Sequence, residues 1–326
     1  MERIITMGSS FGAKPRYVLH DIPLRTRWAL VLLAAPLSLV MTGCVADTQS
    51  AESISGPSIA MTSPQVQATS APLETTESAT QAPVYWIGRS DDNTFLYREF
   101  RDVPEEENQV TRALRAMMSE SPLDPDFFTP WQNPKKLATS ISGRNVITVD
   151  VSDDAFNSTL DADMAARAVQ QLVYTASAAG ASSGLIDAGV AIQVVVLVDG
   201  HTDFMAFDHV KLGEPMSRNA ALVAPVWIID PQEGSALPNG SVKISGRSTT
   251  PGGLLSWQLL RKDEGGESTT YLSGETLAAN TSENPGLFSL SLSLEPGSYD
   301  LRVSDVDPED SGRQLHSDTR KFTVSD

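Results

Sequence analysis

The sequence predicts an α+β domain, a mixed sheet with helices on one face, over residues 83–210, then a linker (211–224) and an all-β two-sheet sandwich over residues 225–326. Three observations predict it. Apolar stripes at helical spacing interleave with β-rich runs in the first region, and short strands recur between Gly, Pro and Asn turns in the second. Ahead of both lies a stretch, Val45 to Ala82, without Lys, Arg or any aromatic residue.

The N-terminus is justified first. Arg25 and Arg27 precede an uncharged run from Trp28 to Met41. Its fourteen residues would make roughly 21 Å of helix at about 1.5 Å per residue, against a hydrocarbon core of about 30 Å. A basic flank, a short apolar run and a small-residue exit mark a secretory signal. The exit, Met41-Thr42-Gly43-Cys44, resembles the bacterial lipobox, with Met41 where Leu is usual, and Cys44 is the sole cysteine of the chain. The resemblance implies that residues 1–43 are a lipoprotein signal peptide and that the Cys44 thiol is diacylated. Two acyl chains anchor stably where one does not, so the mature chain is expected on the extracytoplasmic face of the cell membrane. A lipidated Cys44 leaves no thiol for redox chemistry or a disulfide.

Residues 1–43 hold five Lys or Arg and two acids, so their removal takes the net charge from −17 to about −20. So acidic a chain lacks the basic patches that nucleic acid or anionic headgroups need. From residue 44 to 82 the composition is Ser, Thr, Ala, Gln and Pro, as in "ATSAPLETTESATQAP". It cannot bury enough apolar surface to offset its ordering entropy, and a disordered tether on the order of 35 Å is expected.

In the first domain "APVYWIG" and "FLYREFRDV" read as strands. Pro104 and Glu105–Glu107 suit the first turn of a helix whose apolar stripe is Val110, Ala113, Leu114, Met117 and Met118. After the Pro-rich loop "SPLDPDFFTPWQNP", "RNVITVDVS" reads as a buried strand. A second stripe, Met164, Ala165, Ala168, Val169, Leu172, Val173 and Ala176, ends near Gly180. "VAIQVVVLVDG" closes the domain in an Asp-Gly turn. In this order "ENQVTRALRAMM", "RNVITVDVSDDAFN", "AARAVQQLVYTASAAG" and "VAIQVVVLVDG" resemble the GerMN domain of sporulation and spore germination proteins. The resemblance implies a ring-building or accessory module of envelope and spore assemblies, with no catalytic role.

In the second domain Phe288, Leu290, Leu292 and Leu294 alternate with Ser289, Ser291 and Ser293, so one face lies in a core and the other is wet. A Pro-Gly turn leads to a strand carrying Tyr299, Leu301 and Val303. With "VWIIDP", "SVKISGR", "LLSWQLLRK" and "RKFTVSD", about seven strands occupy roughly 100 residues, the count of an immunoglobulin-like sandwich. "IIDPQEG", "VKISGRS", "SWQLL", "EPGSYDLRVSDVDPED" and "KFTV" resemble the immunoglobulin-like domain of bacterial spore germination.

Chemistry is sparse. Gly180-Ala181-Ser182-Ser183-Gly184 fits a nucleophile elbow, but the expected order, helix then loop then strand, is the reverse of what an elbow needs. Asp199, His201 and Asp203 read as a hairpin turn rather than a zinc site. Asp305, Asp307, Glu309 and Asp310 read as a solvated loop, with His316 where a calcium loop needs its bidentate Glu. Asp150, Asp153 and Asp154 suit a strand end and a helix cap. No catalytic residue, cofactor or metal is assigned; the assigned modification is lipidation of Cys44. The expected function is a membrane-anchored, non-catalytic module that binds envelope proteins or its own copies. The alternatives are an envelope hydrolase using Ser182 or a glycan-binding lipoprotein using Trp227, Trp257 or Tyr271 as stacking platforms, though in a sandwich such aromatics are more often core.

Overall fold

The computed structural model describes residues 81–90, 93–102, 107–143, 145–186, 191–249, 253–263, 265–279, 286–307 and 313–326. The expected signal peptide, Cys44 and the expected tether up to residue 80 lie outside the described residues.

The first domain opens with β1 (Gln81–Ser90) and β2 (Asn93–Asp102), paired antiparallel with Gln81 opposite Asp102. Helix α1 (Gln109–Ser119) starts later than the expected Pro104, because Asn108 caps it: its side-chain oxygen accepts the Thr111 amide at 3.0 Å. Strand β3 (Phe127–Phe128) adds to β1. The mixed sheet is β4 (Leu137–Ser142), β5 (Val146–Val151) and, beyond α2 (Ala162–Ser182), β6 (Gln193–Val198), with β4 antiparallel and β6 parallel to β5.

One difference from expectation is the hairpin. β1 and β2 do not join this sheet but form a second one, in the order β2-β1-β3. The cause is that β1 is buried on both faces. Val84 and Trp86 enter the main core with α1, α2, β5 and β6, while Tyr85 and Ile87 pack with Leu96, Tyr174 and Ala178. Helix α2 also runs two residues past Gly180, which is buried where an added Cβ would stand 2.8 Å from Ile186. That glycine serves packing rather than a helix stop. Short β7 (Met205–Ala206) and β8 (Val210–Lys211) follow. Residues 211–224, expected as a linker, run along the first domain: Leu212 is buried, Met216 and Val194 exchange main-chain bonds of 2.8 Å, and Ala224 donates to Leu96 at 3.1 Å.

The sandwich comprises β9 (Val226–Asp230), β10 (Ala236–Pro238), β11 (Gly240–Ser248), β12 (Leu254–Lys262), β13 (Ser268–Leu277), β14 (Gly286–Leu294), β15 (Gly297–Val306) and β16 (Gln314–Ser325). Its sheets are ordered β10-β16-β15-β12-β13 and β14-β11-β9. The serines of β14 face solvent, as their alternation requires, and the Pro296-Gly297 turn carries the chain from one sheet to the other. At that corner the Tyr299 hydroxyl donates to the Glu295 carbonyl at 2.7 Å, the tyrosine corner of immunoglobulin-like sandwiches. Gly246 lies at a bulge where an added Cβ would stand 2.2 Å from the Phe288 ring and 2.4 Å from the Trp227 carbonyl, so no other residue fits there.

The two domains share a buried seam. β9 alternates between two cores: Val226 and Ile228 belong to the sandwich, while Trp227, 6% exposed, and Ile229 pack with the first domain. Beside it the Arg320 guanidinium, on a residue only 1% exposed, reaches Asp318 of its own strand at 2.8 Å and Asp124 of the first domain at 2.9 Å. It also stands 5.3 Å over the Phe127 ring. Asp318 in turn accepts the Ile228 amide at 2.7 Å. The Phe100 amide donates to Gln232 at 3.2 Å, and Ser90 Oγ to the Ser317 carbonyl at 3.3 Å. Glu99 accepts the amides of Leu123 and Asp124 at 2.9 and 2.8 Å, which fixes the loop that presents Asp124.

Burial pushes the carboxyls of this seam upward. Asp318 is raised to about 6, with Arg320 and the Ile228 amide opposing the shift, and Glu99, Asp124 and Glu233 are raised by the same desolvation. A carboxyl whose folded pKa exceeds its unfolded one binds protons more readily in the folded state, so its contribution to stability is fully present at low pH and is lost as pH rises through the folded value.

Two outcomes follow from the seam. Arg320→Ala leaves Asp124 and Asp318 buried without their cation and is expected to cost about 3–5 kcal/mol in urea unfolding, whereas a surface arginine removal costs under about 0.5 kcal/mol. The thermal midpoint is expected to rise as pH falls from 7.5 to 5.5, by the equivalent of about 1 kcal/mol from Asp318, and Asp318→Asn is expected to flatten that slope, both measured by calorimetry across pH.

Candidate functional site

In the first domain the carboxyl ends of the parallel strands β5 and β6 open onto a cleft of about 560 Å³. Ligands of α/β sheets gather at such strand ends. The cleft is built by a turn. Asp199 and Gly200 both have positive φ, 48° and 80°, which is the two-residue hairpin that the Asp-Gly pair predicts, and Val198 and His201 exchange main-chain bonds of 3.0 Å across it. The turn brings the Gly200 amide to the Asp150 carboxylate at 2.9 Å, and Asp199 accepts the Asp153 amide at 3.2 Å. Ser152 fixes the opposite wall, its hydroxyl accepting the Lys136 amide at 3.0 Å.

Three cations, Arg115, Lys135 and Lys136, line this cleft beside Asp150 and Asp199. Arg115 pairs with Glu107 at 3.0 Å and Lys135 with Asp154 at 3.6 Å. A hydrogen bond from Ser152, with the Lys135 amide and charge adding to it, holds the Asp154 carboxyl below its usual range. Lys136 has no carboxylate partner among the described residues. The site is thus a wall of fixed, mostly paired charges on a rigid strand end. Such a surface presents fixed charges of both signs.

The structure gathers Asp150, Asp153, Asp154 and Asp199, which the sequence presents as two separate groups, and adds the three cations that sequence reasoning missed. The one signal for them was the Lys-Lys pair in so acidic a chain. Other flagged residues lie elsewhere. Ser182 Oγ donates to the Ala179 carbonyl at 3.2 Å inside the last turn of α2 and accepts from Gln109 at 3.3 Å. Asp203 pairs with Lys211 at 3.3 Å, and His209 bonds the Leu160 carbonyl at 3.0 Å. Asp305 meets His316 at 3.2 Å and Asp307 meets Arg313 at 3.5 Å, across the β15–β16 ladder, while Glu309 and Asp310 lie outside the described residues. Among the described residues no group of three His, Cys, Asp or Glu is placed to hold a metal. Trp257 packs on Gly274, Tyr271 on Tyr299, and Trp227 sits in the seam.

The profile of the Germane family, sporulation and spore germination, matches residues 83–203. Those residues form a GerMN-type domain. The matched span ends just past the Asp199-Gly200 turn, so the candidate cleft belongs to the GerMN-type domain and the sandwich is a separate module. Among solved structures, the tandem GerMN domains of the sporulation protein GerM from Bacillus subtilis align at 17% identity and a TM-score of 0.33, covering 43% of this chain and 45% of that one. This chain therefore spans less than half the length of that tandem structure. The first GerMN domain of the same protein aligns at 16% identity and a TM-score of 0.30, covering 43% and 95%. The fibronectin(III)-like modules of Clostridium thermocellum CbhA align at 15% identity and a TM-score of 0.22, covering 31% and 95%. Comparison with curated proteins returns no match.

Proposed function

We propose that this chain is an extracytoplasmic lipoprotein, held to the cell membrane through Cys44, whose GerMN-type domain and sandwich act together as a non-catalytic interaction or assembly module of the cell envelope. The observation that carries the reading is the seam. β9 contributes to two cores at once and Arg320 ties Asp124 to Asp318, so the two domains pack against one another across a buried seam that sets the charged cleft and the sandwich in one arrangement. A body of this kind holds surfaces in register for partners.

Two other readings are less well supported. An envelope hydrolase would need Ser182 as its nucleophile, yet its hydroxyl is bonded back into its own helix and to Gln109, not to an imidazole. A glycan platform would need exposed rings: Trp227 is buried in the seam, and Trp257 and Tyr271 are half-buried against Gly274 and Tyr299.

In-cell crosslinking of the tagged chain, with mass spectrometry of what is recovered, tests the proposal. Crosslinks to one defined membrane complex or to the chain itself are expected, lost with Cys44→Ala and reduced several-fold with Lys136→Glu. Recovery of no specific partner from the membrane fraction, or a pattern indifferent to Cys44→Ala, would contradict it.

A further inference from the structure

The sandwich has one closed flank and one open one. On the closed flank β9 is outermost, and the main-chain groups of Ile228 are met by side chains: its amide by Asp318 at 2.7 Å and its carbonyl by Arg320 Nη2 at 3.5 Å. The other sheet ends there in β10, three residues closed by Pro238. On the open flank β13 and β14 are outermost in their sheets. Proteins guard such edges with charge, proline, short strands or bulges. Across the nineteen residues of β13 and β14 there is no Lys, Arg or Pro and a single charged side chain, Glu275, in a chain that is 20% charged. Leu277, 67% exposed, and Leu287, 52% exposed, lie on these strands, with Leu254 and Leu272 also exposed beside them. Among the described residues the other guard is a bulge at Tyr271, which leaves Leu272–Leu277 in unbroken register with Leu259–Leu254, a segment that a further strand can follow.

We propose that β13 is a self-pairing edge: two copies of this chain join antiparallel, β13 to β13, and extend the five-stranded sheet across a two-fold axis. The proposal rests on the interaction-module reading and names a second copy as a partner. Charge selects that partner. A chain of net charge −17 repels its own copy, and the two edge strands, with one carboxylate in nineteen residues, add little to that repulsion. The pattern is also self-compatible. Two-fold antiparallel pairing sets residues of the same face opposite one another, so a register centred on Gly274 places Leu272 opposite Thr276 and Ser273 opposite Glu275. Only a register centred on Glu275 puts like charges face to face.

The test uses the full chain with Cys44→Ala, which has no other cysteine. Sedimentation over a range of concentrations is expected to show a monomer–dimer equilibrium that Ser273→Lys weakens about tenfold or more, since each lysine enters the paired edge twice. An unchanged unfolding midpoint would show that the variant folds. A mixture of Ser273→Cys and Glu275→Cys chains in the same background is expected to give disulfide-linked dimers more readily than either chain alone, because the register centred on Gly274 sets these two positions opposite one another and the bond needs Cα atoms within about 4.4–6.8 Å. A monomer at every concentration, association indifferent to Ser273→Lys, or a Ser273→Cys chain trapped in cells only on a different protein would overturn the proposal. The two readings fail separately. A monomeric chain that still crosslinks to an envelope complex sinks self-pairing alone, while a β13 dimer that makes no crosslink in cells sinks the interaction-module reading.

Discussion

Everything in the described body depends on where Arg320 is allowed to be. Its guanidinium is enclosed, and its planar fork faces Asp318, Asp124, the Ile228 carbonyl and the Phe127 ring. Desolvating such a group costs much of what its ion pairs return, so the cluster is not a large source of net stability. What it supplies is uniqueness. Only one placement of the sandwich on the first domain gives Arg320 both carboxylates and at the same time closes the free edge of β9. Any other placement leaves a buried charge unpaired, at a cost of several kcal/mol (about 3–5). The apolar half of the seam, Trp227 and Ile229 against the first core, supplies the attraction that this polar half orients.

That arrangement explains why the two flanks of the sandwich differ. β9 needs no guarding charges in its sequence, because β16 and the first domain satisfy it. Among the described residues β13 and β14 have no neighbour of that kind, and their guards are few: the bulge at Tyr271 and the one charge of Glu275. The acidity of the chain bears on the same point: in a chain of net charge −17, an edge with one carboxylate in nineteen residues and a cleft lined by three cations stand apart from the average composition.

Much of the fold is legible in the sequence. The serine alternation of β14, the two helical stripes and the Asp-Gly turn at residues 199–200 are local patterns, and local patterns survive folding. The division of β1 and β2 into their own sheet is not legible, because a strand buried on both faces and a strand in a mixed sheet have the same composition. Arg320 was half legible. Asp318, Arg320, Phe322 and Val324 share one phase of β16, so two charged residues stand at core positions, and that conflict marks a site. Its partner could not be read, since Asp124 lies 196 residues away in a Pro-rich loop with no periodicity. The cleft was scattered for the same reason: Arg115, Lys135 and Asp199 come together only through the β4–β5 and β5–β6 pairings and the packing of α1 on β4.

The claim on which the rest depends is that the GerMN-type domain and the sandwich are one cooperative body. Scanning calorimetry of the full chain tests it most directly. A single unfolding transition, with equal calorimetric and van't Hoff enthalpies, is the predicted result. Two resolved transitions, one for each domain, would contradict it, because a seam built from a shared strand and a buried ion cluster cannot open before the domains themselves melt.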